Sequence, residues 1–135
     1  MKLNEGKNNW EHFANGGVSK ARLEYDGTEL FRLRFINTQK ADECEVGLDW
    51  IEEIKSFRNV VETALQNRQG SIKVYPDDYR GLMIRVAWQS DEVELNFLKG
   101  FATVRVILPA NHGEQILLAA AQLLQKPGTM EIQFK

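Results

Sequence analysis

Cysteine is almost missing from this chain: Cys44 stands alone among 135 residues. One thiol excludes an intramolecular disulfide framework and fits a reducing compartment. Histidine is nearly as scarce. His12 lies in a polar N-terminal stretch and His112 at the start of a helical pattern, and neither is matched by a local motif to a nucleophile it could activate. Zinc-ligand spacing, the phosphate-cradling glycine loop and the dinucleotide fingerprint are all missing. Gly16 and Gly17 precede a strand pattern rather than a helix, so they do not form a phosphate cradle. No apolar run approaches the roughly 20 residues needed to span a bilayer. Residues 1–12 lack the apolar core of a signal peptide. Asp77 and Asp78 are adjacent carboxylates without further ligands in view, and the plain expectation for them is a polar turn rather than a metal site.

Together these gaps lead to the expectation of a soluble, cytoplasmic protein that is not an enzyme and uses no cofactor or metal. A net charge of -2 leaves no generic attraction for nucleic acid, although a local basic patch remains compatible with it.

What is present is strand-rich. The stretch from Leu82 to Leu108 reads as a three-stranded meander. Alternation puts Leu82, Ile84, Val86 and Trp88 on one face, with Val93, Leu95 and Phe97 in the second strand and Ala102, Val104, Val106 and Leu108 in the third. Tight turns at Ser90-Asp91 and Lys99-Gly100 set Val86 opposite Leu95, Leu95 opposite Val104 and Glu94 opposite Arg105. The other face carries Arg85, Gln89, Glu92, Glu94, Asn96, Thr103 and Arg105, and Met83, Leu98 and Phe101 break it at one end. Those three are candidates for a satellite packing surface or for an interface, a homodimer interface included.

Val18 to Ile36 reads as a hairpin turning at Asp26-Gly27. A loop of Tyr25-Asp26-Gly27 keeps Ala21, Leu23, Phe31, Leu33 and Phe35 together on one face. Lys20, Arg22, Arg32 and Arg34 then share the other face, with Lys20 roughly opposite Arg32. Cations so placed repel one another across the strand pair. They call for water, for acids of the same chain (residues 42–45 are near in sequence) or for an anionic partner. The planar fork of arginine suits a carboxylate or phosphate, so these four are the candidate binding residues.

The remaining elements follow from local signals. Residues 37–48 read as a polar connection in which Cys44, Val46 and Leu48 hint at a short strand. Asp49 is the expected cap of a helix running to about Arg68, with Glu52 completing a capping box and Gly70 ending it. Its apolar stripe is Trp50, Ile54, Phe57, Val61, Ala64 and Leu65. Ser71 to Tyr75 is a short strand. Asn111 is the expected cap of a last helix that buries Ile116, Leu117, Ala120, Leu123 and Leu124 and leaves Leu118 wet. Met130, Ile132 and Phe134 mark a strand at a sheet edge.

The predicted class is α+β: a mainly antiparallel sheet of about six or seven strands, in the order β-β-α-β-β-β-β-α-β, with two helices packed on it. Residues 1–17 form a polar arm held by Trp10 and Phe13, and residues 18–135 form a single domain. The function expected is that of a small binding protein, a protein–protein interaction module of the inhibitor, immunity or adaptor sort that meets an acidic surface. The alternative is a single-stranded nucleic-acid-binding protein using the basic hairpin face.

Overall fold

Two meanders and two helices alternate along the chain. The computed structural model describes residues 1–6, 17–75 and 82–134. Its strands are β1 (Lys2–Asn4), β2 (Lys20–Tyr25), β3 (Phe31–Asn37), β4 (Asp42–Leu48), β5 (Gly70–Val74), β6 (Leu82–Trp88), β7 (Glu92–Lys99), β8 (Ala102–Pro109) and β9 (Gly128–Gln133). Helix α1 (Ile51–Gln66) follows β4, and α2 (Ala110–Gln125) follows β8. Trp10, Phe13, His12, Gly16 and the Asp77-Asp78 pair lie outside the described residues. Among the described residues no helix is long and apolar enough to cross a membrane.

The α+β class is as expected, but the strands form two antiparallel sheets, β1-β4-β3-β2-β9 and β5-β6-β7-β8, rather than one. The strand count exceeds expectation for two reasons. Residues 42–48 form a full strand that buries Cys44, Val46 and Leu48 while Glu43 and Glu45 point outward. Residues 2–4, expected to belong to the arm, pair with β4 through Leu3 and Val46.

Each meander ends in a helix, and the strand after that helix joins the other meander. Thus β5 follows α1 but pairs with β6, and β9 follows α2 but pairs with β2. Both helices are 16 residues long. Aligned from their starts, Ile54, Phe57, Val60, Val61 and Ala64 of α1 correspond to Gly113, Ile116, Ala119, Ala120 and Leu123 of α2, and all of these are buried. The strands that follow are alike too: Gly70, Ile72 and Val74 match Gly128, Met130 and Ile132. The chain is therefore two similar halves that exchange their last strands. A shared core joins them, in which the Phe57 ring lies 5.0 Å from Phe31 of one sheet and 6.1 Å from Phe97 of the other.

The registers keep the predicted faces but not all the predicted partners. Val86 lies opposite Leu95, as expected. Leu95, however, lies opposite Val106 rather than Val104, because the turn is Gly100-Phe101. Gly100 takes a positive φ there, which glycine adopts at little cost. Glu94 consequently faces Ile107, yet its carboxylate still reaches Arg105 diagonally and Arg85 at 2.7 Å on the other side.

The first hairpin differs in the same manner. Leu23 pairs with Leu33, and Lys20 with Ile36 rather than Arg32. The loop runs from Asp26 to Leu30 because the Asp26 carboxylate accepts the backbone N–H groups of Thr28, Glu29 and Leu30. Both shifts move the partner by an even number of residues, so every side chain stays on its predicted face.

The helix starts also need correction. Trp50, not Asp49, occupies the cap position of α1, and it makes no side-chain cap bond. Glu53 reaches back to accept the Asp49 N–H at 3.2 Å, so the capping-box acid is Glu53 rather than Glu52. Glu53 is only 1% exposed, and its other oxygen accepts a 2.7 Å hydrogen bond from the Met1 amino group. The same amino group donates to Asp49 at 2.8 Å, while Lys99 donates to the Met1 carbonyl. In α2 the cap is Pro109 rather than Asn111, again without a side-chain bond. Its buried arc is the predicted one, and Leu118 is exposed.

Two outcomes are expected. A Cβ added at Gly113 would overlap Val93 Cγ1 of β7, a branched side chain with no freedom to swing away. Gly113→Ala should therefore cost about 1–3 kcal/mol in urea melts, and adding Val93→Ala should recover part of the loss. A wild-type midpoint for Gly113→Ala would refute the close contact. At Asp49, partial burial opposes ionisation, but the hydrogen bond and charge of the Met1 amino group outweigh it and hold the carboxyl below its ordinary pKa. A carboxyl depressed by folding adds stability above its unfolded pKa, near pH 4, and that stability disappears as pH falls through the folded value. Asp49→Asn should accordingly flatten the acid limb of the stability profile, and an unchanged limb would count against the pairing.

Candidate functional site

The four cations named from the sequence do share the outer face of the first sheet, because β2 and β3 alternate as predicted. The flanking strands change their meaning. β4 places Glu45 between Arg32 and Arg34, at 3.0 Å from one Nε and 3.9 Å from the other. β9 places Glu131 3.6 Å from Lys20, and Glu24 of β2 itself reaches Arg22 at 3.1 Å. All four cations therefore have a carboxylate of the same chain within 4 Å. The like-charge pair of Arg22 opposite Arg34 is offset in a row that reads Glu45, Arg34, Arg22, Glu131 across four strands. These half-exposed pairs are individually weak, and Glu45 is shared by two arginines, so three carboxylates offset much of the charge of the four cations. The excess positive potential that made the face a candidate for a nucleic-acid backbone or an acidic surface is correspondingly reduced.

The second group also separates. Met83 is buried at 8% exposure and Leu98 is half-buried, while Phe101 at the tip of the β7–β8 hairpin is fully exposed. Met83 and Leu98 face each other across β6 and β7. The structure thus brings two of the three together as packing and leaves the third as a lone ring. Among the described residues no group of three His, Cys, Asp or Glu side chains is placed to hold a metal ion.

Sequence reasoning missed an open apolar site. Trp50 sits in extended backbone, at φ −142° and ψ 139°, just before the first helical residue. That conformation turns its ring out of the stripe defined by Ile54 and Phe57. Trp50 is 40% exposed, and Ile51 beside it is 49% exposed. With Tyr25 and Ile54 they line a groove of about 730 Å³ between the start of α1 and the 26–30 loop. Lys55 and Arg58 edge it on the helix side and Glu29 on the loop side. The loop wall is pre-shaped by Asp26, whose carboxyl is held below its ordinary pKa, first by the Thr28 N–H and then by those of Leu30 and Glu29.

On the opposite side of the loop lies a hollow of about 550 Å³ containing Lys2, Arg32, Glu45 and Asp49. Arg32 pairs there with Glu45, and Asp49 with the Met1 amino group. Arg32, Glu45 and Asp49 are thus already engaged in ion pairs, whereas the groove presents uncovered aromatic and aliphatic surface. Two consecutive large apolar residues at a helix start were the available signal, since a single apolar stripe does not readily bury two neighbours.

Cys44 is fully enclosed between the sheets, and burial, with the charge of Asp42 adding to it, pushes its thiol far above the ordinary range. Thiol reagents should label the folded protein slowly at neutral pH and rapidly once denaturant is added. Fast labelling of the native protein would contradict this placement.

Compared with models of known protein families, with curated proteins and with solved structures, the chain matches none.

Proposed function

We propose that this protein is a non-enzymatic binding module of the cytoplasm, of the inhibitor, immunity or adaptor sort, and that it holds a partner protein in the groove beside Trp50 and Ile51. The observation that carries the reading is the exposure of these two neighbours on a concave surface with Tyr25 and Ile54. Tryptophan and tyrosine in a recess are the residue types that anchor protein interfaces, because they remove much apolar area from water and lose little rotamer freedom. The internally paired hairpin cations give the nucleic-acid alternative little support.

A photo-crosslinking phenylalanine analogue placed at Trp50 in the native cells should yield a discrete covalent adduct with one partner. The same analogue at Thr129, on the outer face of β9, should not. Mass spectrometry then identifies the partner, and the purified pair should bind roughly 30-fold more weakly when Ile51 is changed to Asp, the loss expected at an interface anchor. No adduct above the Thr129 control, or full affinity of Ile51→Asp for the identified partner, would refute the proposal.

A further inference from the structure

The two halves of the fold provide an internal comparison for the groove. In the second half the corresponding space is filled by the chain itself. The turn at Ser90-Asp91 closes against the start of α2, where the Ala110 N–H donates to the Asp91 carbonyl at 2.9 Å. Gly113 then lets the helix settle directly on Val93. In the first half the turn is replaced by the longer Asp26–Leu30 loop, which closes on itself through the Asp26 N–H and the Leu30 carbonyl. The residue corresponding to Gly113 is Ile54, whose side chain lines the groove. A turn of the chain thus packs against one helix start through a backbone carbonyl, and its counterpart is left open.

We infer that the groove takes a segment of a partner protein that combines an apolar side chain with an adjacent acidic residue. This inference rests on the groove being the binding site. The apolar side chain would cover Trp50 and Ile51, and the acidic residue would lie along the helix wall between Lys55 and Arg58. Those two cations are available to it. The Lys55 ammonium reaches Glu52 only at 3.6 Å and is 66% exposed, so that pair is weak and screened. Arg58 donates from Nη2 to the Leu124 carbonyl. Its remaining guanidinium nitrogens, Nη1 and Nε, can serve a carboxylate. Glu29 on the loop wall orients the segment, because it repels an acid placed there and favours one placed on the helix side. A basic segment would meet both cations and lose the pairing, a repulsive element of the kind that sets specificity.

The test is a random peptide library displayed on phage and selected against the purified full chain. Enriched peptides should share an aromatic or aliphatic residue next to Asp or Glu. Their affinity, read by fluorescence anisotropy, should fall about tenfold or more for the Lys55→Glu, Arg58→Gln double variant. Replacing the peptide acid by Lys should restore binding to that variant. Lys55→Glu alone, at an exposed position, should give a smaller loss in the same direction and serves if the double variant does not fold. Ile51→Asp should abolish binding of every enriched peptide. Peptides that depend on Ile51 but carry no acid, or ignore the charge changes, would overturn the acidic occupant and leave the groove standing. Peptides that bind Ile51→Asp unchanged, or a library that yields no enrichment, would overturn the groove itself.

Discussion

The Phe57 ring is the contact on which the architecture depends. It projects from α1 between two sheets that share no hydrogen-bonded strand pair, touching Phe31 of one and Phe97 of the other. Each aromatic pair is worth about 0.5–1.5 kcal/mol beyond the area it buries, and the arrangement fixes where α1 lies relative to both sheets. Trp88 strengthens this position from below by donating its indole N–H to the Ala64 carbonyl, tying β6 to the end of α1. Arg58 does the same between the helices by capturing the Leu124 carbonyl at the end of α2. With α1 held at its middle, at its end and, through Glu53 and the Met1 amino group, at its first turn, what differs from the second half is the loop that faces the helix start.

That difference generates the groove. The two similar halves differ at the contact between a turn and a helix start. Gly113 and a short turn bring α2 and its sheet together, whereas Ile54 and a loop built around Asp26 leave α1 beside an open recess. Differences in turn length and residue size generate the recess, while the buried positions along the two helices correspond from one half to the other.

Much of this was legible in the sequence because strand alternation is a parity signal. Every inward residue named in the two hairpins is on its predicted face, even where Leu23 and Leu95 have partners other than those expected. Register offset is set by the turn, and the turn depended on an Asp26 side chain folding its own loop and on Gly100 pairing with Phe101 in the tip. The second sheet was not legible, since β5 and β9 leave the helix they follow for the distant meander, and local periodicity carries no information about such crossings. The four cations share a face as read, and residues 42–45 were among the acids that could meet them, but which carboxylate meets which cation was not legible, because Glu45 and Glu131 approach only once β4 and β9 flank the hairpin. Trp50 was taken for core because the helix was read as starting one residue early.

The exchanged strands bear on how such a chain can be made. β2 leaves synthesis early, yet its partner β9 lies beyond the whole second meander and α2. The free side of β2 therefore has no partner strand throughout translation of everything in between, and an open edge is a template for pairing with other chains. Contacts of such long sequence separation also form slowly, because loop closure comes before any of the packing that rewards it. Lys20, Arg22 and Glu24 stand along that waiting strand, and Glu131 completes their row only when β9 pairs with it.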